Sequence, residues 1–232
     1  MVNQPTLPQL INRMDSERLR RYRDNLAFYN GAQWQGRARP GERRLTFNYA
    51  KAVVDKVVSY LLSGMNTIVE PVDPSPESTD RARIAQEVLR RVHDENHLEA
   101  LDFDTELDTA ILGDGAYKVT WDTQEGRARV SAPDIQGLFA WWIADDPSQV
   151  WRVASRYRLS TEEAAMLYGV EAPRRQAVTV VEAWTDEAFQ LWVENTLVQE
   201  RPNPYGFIPF VLFPNLRVPK AFWGESDPPP LV

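Results

Sequence analysis

Apolar positions recur at helical spacing through the first half of the chain and at strand spacing through the second. Leu19, Tyr22, Leu26 and Tyr29 fall three to four residues apart within SERLRRYRDNLAFYNG, 16–31. That spacing predicts an amphipathic helix with arginines on its outer face and Gly31 at its end. A clearer stripe runs through FNYAKAVVDKVVSYLLS, 47–63, where Ala50, Val53, Val54, Val57, Val58, Leu61 and Leu62 share a face. Asn48 is placed to cap this helix and Gly64 to stop it. Between the two, QGRARPGERR, 35–44, carries Gly36, Pro40, Gly41 and four arginines, and predicts a mobile loop unless a partner orders it.

Three prolines make 70–79, EPVDPSPEST, a loop, and Ser78 or Thr79 is expected to cap a helix running to about Asn96 with Ile84, Val88 and Val92 aligned. A further helix from Leu98 to Leu112 would align Phe103, Leu107, Ala110 and Ile111, and Gly113-Asp114-Gly115 ends it. The pattern then changes to short strand-like runs. Tyr117–Trp121 and Ala128–Ser131 read as a hairpin, followed by strands at 139–143, 150–157, 178–185, 189–194 and 208–213. Thr161–Tyr168 reads as one short helix capped by Ser160. No repeat of fixed period is present. N-terminal helices followed by a mostly antiparallel β-rich portion define an α+β fold. The expected divisions are a basic arm and helix at 1–45, an α+β body at 46–227 and a proline-rich end at 228–232.

Composition removes several chemistries. The 232 residues include no cysteine and two histidines, which excludes disulfides, thiolate nucleophiles, cysteine-based zinc ribbons and iron–sulfur clusters. The longest charge-free stretches, Val57–Val69 and Pro202–Leu216, fall short of the roughly 18–20 apolar residues of a bilayer span. The start, MVNQPTLPQLINR, lacks the basic and apolar regions of a secretory signal, so a soluble protein that stays in a reducing cytoplasm is expected. The net charge of −7 is uneven: residues 1–60 carry +6, residues 61–113 carry −8 and the remainder −5. A basic arm beside an acidic body suggests pairing of arm with body, within a chain or between neighbours, or contact of the arm with nucleic acid.

Neither histidine fits a metal motif. His93-Asp94-Glu95-Asn96-His97 misses the H-E-x-x-H pattern at Asp94 and its reversed form at Asn96, and a helix end is expected there. Asp102, Asp104, Glu106 and Asp108 alternate like calcium-loop ligands, but Leu107 stands where that loop needs glycine and the residues lie on a predicted helix. They read as an acidic helix face, or as a docking strip for a basic surface. No phosphate loop, dinucleotide fingerprint or nucleophile elbow is present, and no catalytic, cofactor or metal residue is assigned. The tryptophans, Trp121 to Trp223, fall mostly in strand segments and read as core or subunit interface.

Several motifs, in this order, resemble the portal proteins of tailed bacteriophages, in particular the family from long-tailed phages. They are Phe28-Tyr29-Asn30-Gly31 before the basic loop; Asn48 with Val54-Asp55, Tyr60-Leu61 and Gly64; Gly113 with Ala116-Tyr117; and Asp145-Asp146. The most specific is Asn203-Pro204-Tyr205-Gly206-Phe207-Ile208-Pro209-Phe210, then Phe213 and Asn215, then Gly224-Glu225-Ser226-Asp227. The resemblance implies the outer, wing part of a subunit of a ring, usually of twelve copies, at one capsid vertex. Double-stranded DNA would pass through the ring, the large terminase subunit would dock on it during packaging, and head-completion or adaptor proteins afterwards. The location implied is the virion, after assembly in the host cytoplasm, with no enzymatic activity and no cofactor. Full-length members continue past the G-x-S-D element into a stem, where this chain reads Pro228-Pro229-Pro230-Leu231-Val232, so a fragment or a truncated gene product is expected. On this reading Arg37, Arg39, Arg43 and Arg44 of the arm would pair with Asp102, Asp104, Glu106 and Asp108 of a neighbour, or with capsid or scaffold protein. The alternatives are a nucleic-acid-binding module using the same arginines and, more distantly, a hydrolase built on His93 and His97.

Overall fold

The computed structural model describes residues 5–34, 36–37, 39–62, 67–170 and 177–227. In chain order the elements are α1 (Leu7–Ile11), α2 (Ser16–Tyr29), α3 (Tyr49–Leu61), α4 (Pro76–Glu95), α5 (Leu98–Leu112), β1 (Asp114–Asp122), β2 (Arg127–Ser131), a 3-10 turn (Ile135–Gly137), β3 (Leu138–Ile143), β4 (Asp146–Ser160), α6 (Thr161–Tyr168), β5 (Ala177–Trp184), β6 (Ala188–Val193), β7 (Thr196–Pro202) and β8 (Phe210–Pro214). The α+β order is as the sequence predicts. The expected stop at Gly64 and the proline-rich end at 228–232 lie outside the described residues. No helix among the described residues is long and apolar enough to cross a membrane.

Two compact units are formed. One comprises the chain up to Arg23, Pro133–Phe210 and Val218–Phe222. Its centre is an antiparallel meander in the order β3-β4-β5-β6-β7. β5 shows why the run AVTVVEAW is apolar at nearly every position: both of its faces are covered. Val178, Val180 and Trp184 join Phe189, Leu191 and Val193 of β6 and Ala164 of α6 on one side. Val181 and Ala183 join Leu7 and Ile11 of α1, with Phe139 and Ala154, on the other. A strand that buries both faces loses the polar/apolar alternation of a half-exposed one.

Helix α6 is fixed by a reciprocal cap. The Ser160 hydroxyl accepts from the Glu163 amide at 3.1 Å while the Glu163 carboxylate accepts from the Ser160 amide at 2.8 Å, and Gly169 ends the helix at φ 65°. Its last residue, Tyr168, meets Tyr157 hydroxyl to hydroxyl at 2.8 Å, and Tyr157 donates to Glu182 at 2.9 Å. Burial first, then the Glu182 charge, pushes the Tyr157 phenol well above its ordinary range, so it stays a donor.

The other unit comprises Asp24–Ala132, Val211–Arg217 and the segment from Trp223. Here α3 and α4 pack on α5, which leads directly into β1 at the centre of a three-stranded sheet, β2-β1-β8. The hairpin pairs Lys118 with Ser131 through Asp122 with Arg127. Two helix expectations need correction. Helix α4 begins earlier than the Ser78 or Thr79 expected, because Ser75 accepts from the Ser78 amide at 3.2 Å and Pro76 suits a first helical position that needs no donor. Helix α5 does not bury Phe103, which is 41% exposed, but Thr105 and Thr109 with Ala110, Ile111 and Leu112. The two threonines can enter the interior because their hydroxyls donate to the carbonyls of Leu101 and Thr105, each at 2.6 Å.

Candidate assembly site

The motif residues have structural work to do, beginning where α2 gives way to α3. Asn48 donates to the Tyr29 carbonyl at 2.7 Å and accepts from the Lys51 amide at 3.1 Å, so one side chain closes the end of α2 and caps the start of α3. Gly31 lies against it at φ 89°. The Tyr29 hydroxyl donates to Asp55 at 2.6 Å and receives the Lys51 ammonium at 2.6 Å, while Lys51 pairs with Asp55 at 3.2 Å. Burial and the Asp55 carboxylate together raise the Tyr29 phenol, and its bond to Tyr29 raises the Lys51 ammonium, so both stay protonated at neutral pH. Tyr29-Asn30-Gly31 and Asn48 to Asp55 are thus two halves of one helix-to-helix splice.

The splice holds the ends of the arginine loop, whose described residues are tied to one another by bonds within their own chain. Arg44 stacks over Trp34 at 5.4 Å, donates to Glu42 at 2.7 Å and reaches the carbonyls of Gly36 at 2.8 Å and Arg37 at 3.0 Å. Glu42 in turn accepts from the Arg39 amide at 2.7 Å, and Trp34 donates to Thr46 at 3.2 Å. The Arg44 bond, then the Arg39 amide, lowers the Glu42 carboxyl. Arg44 is therefore an internal strut, whereas Arg37, Arg39 and Arg43 are exposed around it.

The four acidic candidates on α5, Asp102, Asp104, Glu106 and Asp108, do not form one strip. Asp102 and Glu106 are half-buried, and Asp104 and Asp108 are exposed. Steps of two residues turn a helix by about 200°, so alternate positions face opposite ways. Asp102 accepts from the Tyr117 hydroxyl of β1 at 2.6 Å, and burial followed by this bond pushes the phenol up to about 12. Glu106 is raised by burial and then by the charge of Asp227.

Asp227 belongs to a segment that closes this unit. Gly224 donates its amide to the buried Asp114 carboxylate at 2.8 Å, Leu216 pairs with Glu225, Asn25 donates to the buried Ser226 hydroxyl at 3.0 Å, and the Asp227 amide donates to the Ala110 carbonyl at 3.0 Å. Gly113, at φ 104°, lets the α5–β1 turn approach this segment. The sequence marks Gly113 and Gly224-Glu225-Ser226-Asp227 as motifs, but only the fold shows that each exists for the other.

In the meander unit, Asn203 does similar work. Its amide group donates to the carbonyls of Thr185 at 2.7 Å and Phe207 at 2.8 Å, and its oxygen accepts from the Tyr205 amide at 2.9 Å. Tyr205 stacks on Trp184 at 6.0 Å, and Gly206 takes φ 68°. The N-x-Y-G turn is held by one fully used side chain. Asp146 organises its own turn, accepting from Ser148 and Gln149, and these bonds lower its carboxyl.

The two histidines sit at the α4–α5 junction and are exposed. Helix α4 ends at Glu95 and His97 adopts a left-handed backbone at φ 50°, so they are not an i, i+4 pair on one helix. No group of three or more potential metal ligands occurs among the described residues. Sequence reasoning misses Arg18, expected on the outer face of α2 but 4% exposed. It donates to the Leu138 carbonyl at 2.7 Å, to Asp15 at 2.9 Å and to Tyr22 at 3.2 Å. The signal available was spacing: Arg18, Tyr22, Asn25 and Tyr29 are the buried line of α2, and every one of them carries a polar tip.

No curated protein matches the chain. The family model of the phage P22-like portal protein matches residues 11–196, which takes in the helix splice, α5 and the meander as far as the start of β7. The match supports the portal class, under a P22-like heading rather than a long-tailed one, and the Asn203 and Gly224 motifs lie beyond its end. The chain belongs to the P22-like portal proteins of bacteriophages, a structural rather than enzymatic family of the virion, at the capsid vertex used in DNA packaging.

Proposed function

We propose that the chain builds the wing portion of a portal ring, with identical copies side by side around the DNA channel. In this reading residues 46–227 are the wing-like body, 1–45 its basic arm, and the docking partners are the terminase motor, capsid or scaffold protein and, later, head-completion proteins. The observation that carries it, beyond family membership, is the division of labour in the arginine loop. Arg44 is consumed in holding the loop, and Arg37, Arg39 and Arg43 are displayed on its exposed surface. Loop residues already tied within their own chain lose less entropy on docking, which favours a contact surface.

The same division selects the acidic partner. Of the four acidic candidates, Asp102 and Glu106 are half-buried, and Asp104 and Asp108 are the exposed pair that a neighbour's arginines would meet. Reversal of Arg37, Arg39 and Arg43 to glutamate should impair ring assembly and procapsid incorporation, and Asp104→Lys with Asp108→Lys in the same chain should restore part of it. Unchanged incorporation of the reversed variant would remove the arm from the assembly account. The DNA-binding alternative predicts instead that the reversal abolishes a salt-dependent DNA affinity at 50 mM salt.

A further inference from the structure

Helix α3 has two apolar arcs, and among the described residues its own chain covers only one. Val54 and Val58 are buried. Tyr49, Val53 and Tyr60 lie on the other arc and are 74%, 59% and 66% exposed, with Val57 at its margin at 39%. The arc extends into the loop before the helix, where Phe47, 67% exposed, stacks on Tyr49 at 6.4 Å. Phe47, Tyr49 and Tyr60 bring about 150–250 Å² each, so together they leave roughly 300–500 Å² open. With the valines, this reaches or exceeds the largest apolar patch of a typical monomer, about 300–600 Å². It also supplies about half of the roughly 800 Å² that one side of a stable interface buries.

We infer that this outer face of α3, with Phe47, receives a second copy of the chain. The inference rests on the ring reading and deepens it by naming one side of the subunit contact. Family membership implies self-association, and the area is in the range that self-association needs. The splice at Tyr29, Asn48 and Asp55 fixes α3 from its buried side, so the exposed arc is presented on a rigid element. In a closed ring the contact is heterologous, and the face meets a different surface of the neighbour.

The test compares the chain with the Val53→Glu/Tyr60→Glu double variant by sedimentation velocity and electron microscopy, with circular dichroism and thermal midpoint as fold controls. The expected result is rings for the parent chain and, for the folded double variant, a shift of about tenfold or more in the concentration needed to assemble. Because the sequence has no cysteine, Val53→Cys provides a unique attachment point for a photocrosslinker that tolerates the native surface. Mixed light and heavy isotope copies should then crosslink to each other, and Met166→Cys, on α6, should not. Rings from both proteins, or no copy-to-copy crosslink from position 53 within rings, would overturn this inference and leave the ring reading standing. Closed dimers abolished by the double variant would keep the α3 face and overturn the ring. A parent chain that stays monomeric at all concentrations overturns both.

Discussion

Gly113 and Gly224 pack backbone against backbone: a Cβ on Gly224 would stand 2.6 Å from the Gly113 carbonyl oxygen, and one on Gly113 would stand 2.8 Å from the Glu225 carbonyl carbon. The closing segment can bond to Asp114, Leu216 and Ala110 only because neither residue has a side chain. Gly224→Ala is expected to cost about 1–3 kcal/mol by overpacking. Gly113→Ala should cost more, since its φ of 104° adds backbone strain to the clash. Urea midpoints measure both, and an unshifted midpoint for either would contradict the close approach.

Arg18 should matter for stability out of proportion to a residue predicted to face solvent. Its removal takes one donor each from the Leu138 carbonyl, the Ile135 carbonyl and Asp15, and Arg18→Met is expected to cost about 3 kcal/mol. Arg18→Lys should recover only part of this, because one ammonium cannot reproduce a planar fork that serves two carbonyls and a carboxylate. Equal stability of the lysine variant and the parent in chemical denaturation would show that charge alone suffices.

Asn203 uses both ends of its amide, so Asn203→Asp should fail as well as Asn203→Ala. The aspartate loses the donors to Thr185 and Phe207 and places a charge against two carbonyls. Each variant is expected to lose about 1–3 kcal/mol. Hydrogen exchange should localise the loosening to the turn between β7 and β8, and a uniform change across the meander would argue otherwise.

Glu106 gives a pH signature of defined sign. Burial and Asp227 raise its carboxyl above the ordinary glutamate range, so the folded state holds this proton more tightly than the unfolded chain does. Its favourable contribution is fully present below the unfolded pKa and is lost as pH rises through the raised folded value. Glu106→Gln should therefore stabilise the protein at neutral pH, with the difference shrinking as pH falls through that window. A variant whose advantage grew on acidification would reverse the sign and refute the account.

How much was legible in the sequence depended on what each residue does for its own neighbours. Ser160 with Glu163, Asn48 before the α3 stripe and Gly113 after α5 act within a few residues, and their elements begin or end where spacing predicts. Strand β7 was missed because TLVQERP is an edge strand with almost every residue exposed, so it carries no alternation to read. The partition of Asp102 and Glu106 from Asp104 and Asp108 required knowing that β1 and Asp227 come to one side of α5. The pairing of Gly113 with Gly224 and of Arg18 with Leu138 spans more than a hundred residues, and local pattern carries no trace of such contacts.

The central claim is that this chain is a portal subunit at one vertex, and labelling it in the particle tests that claim most directly. Phage carrying an affinity tag in the exposed turn between β1 and β2, near Gln124, would be decorated with gold and imaged by electron microscopy. The account predicts a single cluster of label per procapsid, at one vertex only. Label spread over the whole shell, or on none of the particles that contain the tagged chain, would contradict it.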